Sequence, residues 1–288
     1  MSAIAYITDS KMLEMHRLNN HKAINFWRSS ANTAFSDFRE GDLIFFLSKD
    51  KEHKKKNEKG IVGFGRLQSI STASPKMMWE RYGTDNGYVS YEEFKEAIER
   101  VSKDRKLPRK ISAFYLQNVT FFQPVYLSEC GMKVSDKLES YVYLKDEETV
   151  RKLLDLSERY NDLWSDLSDN TNSIEEEKKR YALLCAHNRI KDLSLDEKWY
   201  RRSQRVMKKF AEVNTEYKFI NGSLNELYRL RGDDLLIVLY NDKYTDYKLL
   251  VGQAKLYRYY LKRYYDKDLN VRFMTSDGNE EIKELLNG

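Results

Sequence analysis

The stretch RGDDLLIVLYNDKYTDYKLLVGQAKLYRYY, residues 231–260, decides how the C-terminal half of this chain is interpreted. Two apolar runs flank the polar segment NDKYTD, a pattern that is typical of a β-hairpin. An acidic pair, Asp233 and Asp234, opens the first run, and Gln253 and Lys255 close the second. Residues two apart on a strand face the same side of a sheet. The pattern therefore predicts that Gln253 and Lys255 face one side, next to a strand that carries a carboxylate.

This predicted arrangement matches the needs of a metal-dependent phosphodiesterase. Such an enzyme holds a hard cation with a carboxylate and a second oxygen ligand, and the cation orients water and stabilises the phosphate transition state. A bent hairpin supplies both ligands from adjacent strands. A predicted helix over 196–213 and a strand (EYKFI, 216–220) precede the hairpin, whose first strand extends over 226–240. A basic helix, a strand (VRFMTS) and a last helix follow it, so the predicted order is α-β-β-β-α-β-α.

Residues 196–285 resemble the PD-(D/E)xK nuclease superfamily, and within it the Mrr-like branch, through GDD (232–234), LLVGQAKLYRYYLKRYY and VRFMTSD. The resemblance implies an αβββαβ nuclease-like sheet that binds Mg²⁺ or Mn²⁺. It makes Asp234 the metal ligand, with Asp233 as the alternative, and Gln253 the second ligand. Lys255 positions the attacking water, and Glu212, or less strongly Glu226, is an additional carboxylate.

Two predicted helices of the C-terminal half carry rows of cations, and on the second helix the cations are interleaved with tyrosines. Cations with aromatic residues suit a nucleic-acid backbone, although an ordinary solvated helix face gives the same pattern. The residues predicted to contact a DNA backbone are Arg201, Arg205, Arg258 and Lys262.

The N-terminal half predicts a mixed, mostly antiparallel β structure decorated by helices. Apolar runs predict strands over 3–8, 41–48, 60–71 and 111–127. Helical spacing follows Ser74 and Ser90, both of which are good N-cap residues, and predicts helices over 74–83 and 90–104.

Residues 3–143 resemble the PUA-like reader domains, of the EVE and sulfur-binding kinds, that stand at the front of modification-dependent restriction enzymes. The motifs that carry the resemblance are INFWRSSANTAF, REGDLIFFLSK, GIVGFGRL and MMWERYGTDNGYVSYEEFKEAI. It implies a PUA-like mixed β-barrel that takes up a modified, extruded base. Trp27 supplies either a stacking face or part of the core, and the predicted hydrogen-bonding residues are Arg28, Ser29, Ser30 and Asn32.

Composition allows this reading. The chain has 288 residues and a net charge of +5, which permits a polyanionic partner. Two cysteines are too few for a disulfide framework, and no run of about 20 apolar residues is present, so we expect a cytoplasmic protein without a membrane span.

The sequence thus predicts an α+β and α/β protein of two domains. Residues 1–150 form the modified-nucleotide reader, 151–180 a charged helical linker, and 181–288 the nuclease-like domain. The predicted function is a modification-dependent endonuclease that binds modified double-stranded DNA, and a homodimer is the assembly suggested for it. Two alternatives are a non-catalytic protein that binds modified DNA with an inactive nuclease fold, and an RNA-binding PUA-like protein.

Overall fold

The computed structural model describes residues 3–29, 37–48, 58–135, 138, 140–160, 167–191, 197–221 and 223–288, except for the side chains of 167–171 and 197–198. The chain divides into two compact units, Met1–Glu175 and Glu176–Gly288. Each unit contains one sheet and several helices, which confirms the predicted α+β class. The division falls within the predicted linker, inside a continuous helix over Leu167–Ile190.

The first unit contains a six-stranded sheet and a helical layer. Its elements are β1 (Ala3–Thr8), α1 (Ser10–Leu18), β2 (Ala23–Arg28), β3 (Leu43–Ser48), β4 (Gly60–Ala73), α2 (Pro75–Tyr82), α3 (Tyr91–Val101), β5 (Ile111–Tyr126), β6 (Tyr141–Leu144), α4 (Glu147–Arg159) and the start of α5 (Leu167–Ile190). The predicted strands and helices of this half are confirmed. Ser74 and Ser90 cap α2 and α3 by accepting hydrogen bonds from Met77 N and Glu93 N.

The sheet of the first unit has the order β2-β5-β4-β3-β1-β6. Its neighbours are antiparallel except β1 and β3, which run parallel. The sheet curls on itself, because Phe26 on edge strand β2 contacts Phe46 of β3 and Tyr6 of β1, at ring-centroid distances of 6.0 and 5.1 Å. The inner face is therefore a largely aromatic core.

Side chains alternate along β2, which lies between this core and the helical layer. Phe26 faces the aromatic core, whereas Asn25 and Trp27 face α2, α3 and the 3-10 turn over Gly83–Asn86. The buried amide of Asn25 donates to Asn86 Oδ1 at 2.9 Å, and Trp27 Nε1 donates to the Asn86 carbonyl at 3.2 Å. Asn86 thereby ties the helical layer to the sheet.

The second unit contains a four-stranded sheet of order β10-β9-β8-β7. Its elements after α5 are α6 (Glu197–Val213), β7 (Lys218–Phe219), β8 (Glu226–Arg231), β9 (Asp234–Leu239), α7 (Tyr247–Tyr264), β10 (Asn270–Thr275) and α8 (Glu280–Asn287). Strands β7, β8 and β9 form an antiparallel meander, and β10 returns parallel to β9 after α7.

The hairpin predicted for residues 231–260 is wrong. The first predicted strand turns at Gly232 and Asp233 and becomes β8 and β9, and the second predicted strand is the first half of α7. The α-β-β-β-α-β-α order persists, but different segments supply two of its strands.

Burial at helical spacing explains this outcome. Leu250, Ala254, Tyr257 and Leu261 all lie on the buried face of α7, four, three and four residues apart. Burying a large apolar side chain stabilises by about 1.5–3 kcal/mol, more than the ~1 kcal/mol span of strand propensities. The polar segment that resembled a hairpin tip contains Asp246, whose side chain caps α7 by accepting from Lys248 N at 2.9 Å.

Gly87, directly after Asn86, is expected to be intolerant of a side chain. Its φ is +87°, and a Cβ would lie 2.4 Å from Met12 Cγ and 2.9 Å from His16 Nε2. Gly87→Ala should cost about 1–2 kcal/mol for the left-handed backbone and about 1–3 kcal/mol more for the clash.

Gly131→Ala is the matched control, because the backbone of Gly131 (φ +84°, ψ 6°) is nearly that of Gly87 (φ +87°, ψ 21°) but nothing lies within 4 Å of a Cβ. It should show only the backbone part of the loss. Urea unfolding followed by circular dichroism measures both variants, and equal losses would show that the contact at Gly87 relaxes without cost.

Candidate nucleic-acid interface

Three half-buried tyrosines stand at the edge of the aromatic core of the first unit. Tyr6 of β1 pairs in register with Tyr141 of β6, and Tyr143 lies two residues further along, on the same face. The rings of Tyr6 and Tyr141 are stacked, with centroids 5.7 Å apart and planes 14° from parallel, and Tyr143 meets Tyr141 edge-on at 5.5 Å. These residues extend the core outward as partly accessible aromatic surface.

Two cations accompany these rings. Arg28, at the end of β2, is only 7% exposed, and its guanidinium lies 5.9 Å from the centre of the Phe114 ring. Burial and the neighbouring Tyr143 phenol raise the pKa of Tyr141, and the positive charge of Arg28 opposes that rise. Lys145 Nζ lies 5.9 Å from the centre of the Tyr143 ring.

We call this set the tyrosine rim: Tyr6, Arg28, Tyr141, Tyr143 and Lys145. Aromatic faces with adjacent cations can stack on a nucleobase and compensate phosphate charge. Phenol hydroxyls add groups that both donate and accept hydrogen bonds. The rim therefore has the chemistry to bind a base.

Of the residues predicted to bind a modified nucleotide, only Arg28 lies at the rim. Trp27 faces the opposite side of β2, is 9% exposed and meets Phe94 edge-on at 5.5 Å, so it is a core residue. Ser29 is half-buried directly after Arg28, whereas Ser30 and Asn32 lie outside the described residues.

The three tyrosines were not among the binding residues predicted from the sequence. The alternation in YVYL (141–144) is the sequence signal that could have identified a strand with both tyrosines on one face. Its pairing with β1 could not be predicted from local sequence, because the two strands are far apart along the chain.

The predicted metal ligands of the second unit do not meet. Asp234 begins β9, where Asn270 Nδ2 donates to its Oδ1 at 2.6 Å and Arg272 lies 3.5 Å away. Gln253 and Lys255 stand on α7 rather than on a strand. Two residues on a helix are separated by about 200°, so Gln253 is buried and Lys255 is exposed.

Asp233 lies near the carboxyl end of α7, away from Gln253. It pairs with Lys179 at 2.6 Å, and Lys179 lies 5.9 Å from the ring of Tyr265, which follows α7. Tyr265 is roughly 18 Å along the helix from Gln253 at 1.5 Å per residue. The hydrogen bond and charge of Lys179 lower the pKa of Asp233.

Glu212, the other predicted ligand, is exposed on α6. Across the described ranges, no group of three or more His, Cys, Asp or Glu side chains is placed to hold a metal ion. The residues therefore do not fit the predicted Mg²⁺ or Mn²⁺ site.

Glu226 belongs instead to a buried polar cluster. Its Oε2 lies 2.7 Å from His187 Nδ1 and also accepts a hydrogen bond from the Tyr257 hydroxyl, which is 3.0 Å from the same His187 nitrogen. Burial and the adjacent Glu226 raise the pKa of Tyr257 well above its ordinary value. The cluster joins α5, β8 and α7 inside the unit, where these polar groups satisfy one another.

The predicted DNA-backbone residues separate into two groups. Arg201 and Arg205 are exposed on α6, and Lys262 is exposed on α7. Arg258 has an internal role, because its guanidinium donates to the Leu286 carbonyl at 2.6 Å and lies 5.0 Å from the centre of the Phe273 ring. Its prediction as a backbone contact is therefore not supported.

No protein-family model matches the sequence, and no curated protein matches it. Among solved structures, ASCH from Zymomonas mobilis is 16% identical, aligns over 54% of this chain and 95% of its own, and has a TM-score of 0.39. A point mutant of the same protein is 15% identical over 54% of this chain and 98% of its own, also with a TM-score of 0.39. At these values the likeness does not establish a shared fold, and PUA-like character stays a proposal.

In the part of the chain that the structure describes, each helix is too short or too polar to cross a bilayer. Cys130 and Cys185 are both buried, and no disulfide joins them.

Replacing Asp234 should leave the effect of Mg²⁺ on Tm and on plasmid nicking unchanged, because the other predicted ligands are not near Asp234. Asp234→Ala and the parent chain should show the same Tm with Mg²⁺ and with a chelator, and the same extent of plasmid nicking. A chelator-reversible rise in Tm that only the parent shows would restore Asp234 as a metal ligand.

Proposed function

We propose that this chain is a nucleic-acid-binding protein whose first unit, a PUA-like domain, takes an unpaired or extruded base at the tyrosine rim. The observation that carries the proposal is the stacked pair of Tyr6 and Tyr141, which adjoins Phe26 at the edge of the aromatic core that also holds the buried cation Arg28. The finer form of the proposal is a reader of modified bases in DNA, as the EVE and sulfur-binding resemblance suggests.

The energetics are consistent with this role. Extruding a base from a duplex costs a few kcal/mol, and less when the base is mismatched or already unpaired. Stacking on an aromatic side chain is worth about 1–3 kcal/mol per base. Stacking at the rim, with hydrogen bonds from the phenols, can therefore offset extrusion.

Phosphodiester hydrolysis is not part of this proposal, because the predicted ligands are distributed over a strand, a buried helix face and an exposed helix face. The non-catalytic binding protein, one of the two alternatives left open by the sequence, agrees better with these positions. The dependence on Mg²⁺ or Mn²⁺, the homodimer and the cytoplasmic location stay predictions.

The tyrosine rim is tested by Tyr141→Ala. The variant should bind oligonucleotides about 5- to 150-fold more weakly, which corresponds to the loss of ~1–3 kcal/mol of stacking. Binding to an abasic oligonucleotide of the same length should change little, because its phosphates are intact. Fluorescence anisotropy measures both, on single-stranded probes and on duplexes with a mismatched or modified base.

Two controls separate stacking from folding. Tyr141→Phe keeps the ring and should retain most of the affinity, and Tyr160→Ala removes an exposed tyrosine after α4 and should behave as the parent. Equal loss on normal and abasic probes would contradict base binding at the rim.

A further inference from the structure

The outward face of α7 has a composition that the tyrosine rim does not explain. Lys248, Gly252, Lys255, Tyr259 and Lys262 recur at intervals of four, three, four and three residues, which places them along one line of the helix surface. Arg263 borders the same line. We call these six residues the α7 stripe.

The stripe is positive without local compensation. Helix α7 contains five Lys and Arg residues and no Asp or Glu, while the whole chain carries a net charge of only +5. Lys248, Lys255, Lys262 and Arg263 are all exposed, and none forms an ion pair with a described residue.

An ordinary solvated helix of this chain looks different. On α4, Glu148 pairs with Arg151 at 2.8 Å and with Lys152 at 3.7 Å. Like charges on neighbouring turns repel, so a helix with only positive charges is destabilised unless a counter-charge arrives from outside. The stripe therefore favours an anionic partner.

Tyr259 adds an aromatic surface in the same line. Its side chain is 60% exposed, with Lys255 one turn before it and Arg263 one turn after it. An exposed ring between cations is the arrangement that stacks on an unpaired base while the cations hold phosphates.

Gly252 gives a second, independent indication. Glycine inside a helix costs roughly 0.5–1 kcal/mol relative to alanine. No described atom outside the helix's own adjacent backbone lies within 4 Å of the place where a Cβ would stand. Packing inside the protein thus gives no reason for glycine here, whereas close approach of an external backbone does.

We propose that the α7 stripe binds the sugar–phosphate backbone of a nucleic acid, with Tyr259 stacked on an unpaired base and Gly252 at the point of closest approach. The ligand class rests on the proposed function of the tyrosine rim. A membrane surface or a partner helix would require aliphatic side chains on this face, and the stripe has none.

The stripe ends at the carboxyl end of α7. Beyond it, a cavity of about 330 Å³ is lined by Lys262 and Lys267 but also by Asp266 and Asp268. These carboxylates disfavour a continued path for phosphates, so the expected contact is limited to Lys248–Arg263.

The first experiment removes the charge from the full chain. The triple variant Lys248→Gln, Lys255→Gln, Lys262→Gln should bind single-stranded oligonucleotides about 10- to 100-fold more weakly at low salt. Its slope of log affinity against log salt should fall by about 2, because each phosphate contact to a single strand contributes about 0.7. Anisotropy titrations between about 50 and 200 mM salt measure both quantities, on DNA and RNA.

The matched control removes three solvent-accessible cations that have carboxylate partners: Lys76→Gln, Arg151→Gln and Lys152→Gln. This variant should keep the parent slope. If both triple variants lose slope equally, general charge rather than the stripe drives binding, and the proposal is overturned.

The second experiment tests close approach of the nucleic-acid backbone at Gly252. Gly252→Ala and Gly252→Leu should both keep or raise the Tm, since the site is open, but Gly252→Leu should weaken oligonucleotide binding about 5-fold or more. Parent-like binding by Gly252→Leu would exclude close approach at this position.

The proposals for the tyrosine rim and for the α7 stripe can be refuted independently. If the α7 variants bind as the parent does while Tyr141→Ala loses its preference for normal over abasic probes, the stripe proposal fails and the proposed function stands. If the α7 variants weaken normal and abasic probes alike while Tyr141→Ala has no effect, the stripe stands and the rim fails. Tighter binding of the parent to anionic vesicles than to oligonucleotides, lost in the α7 triple variant, would instead assign the stripe to a membrane surface.

Discussion

The alternation of side chains along β2 is the constraint on which the first unit depends. Phe26 must enter the aromatic core while Asn25 and Trp27 lie under the helical layer. A register slip of one residue would exchange the two faces of the strand. Asn86 opposes such a slip, because its side chain and backbone both receive hydrogen bonds from β2. The same register brings Arg28 to the tyrosine rim, so the fold and the candidate site share one cause.

The second unit uses charge in two different ways. In the second unit, buried or half-buried charges are matched at close range, as Lys179 is by Asp233 and Arg180 by Glu177. His187, Glu226 and Tyr257 likewise satisfy one another in the interior. The exposed cations of the α7 stripe do not follow this pattern. Interior charges that pair with an opposite charge stabilise the structure, whereas an excess of positive charge on the surface is available to a partner.

Much of the first unit could be predicted from sequence, because its signals are local. Ser74 and Ser90 predict the N-termini of α2 and α3, because each caps the first turn of its own helix, and apolar runs predict the strands. The hairpin over 231–260 failed because a short apolar run fits a strand and a buried helix face equally well. The cap at Asp246 and the spacing from Leu250 to Leu261 favoured a helix. The tyrosine rim was missed because β6 has only four residues, and its partner strand is distant in sequence.

The pairing of β1 with β6 has a consequence for the order of events during synthesis. About 130 residues separate the end of β1 from the start of β6. At a translation rate of roughly 5–20 residues per second, β1 waits on the order of ten seconds for this neighbour. Its outer edge stays unpaired during that interval, when unpaired strand edges are prone to wrong association. The tyrosine rim is therefore completed late, and slow translation between residues 8 and 141 would lengthen the period in which the nascent chain is vulnerable.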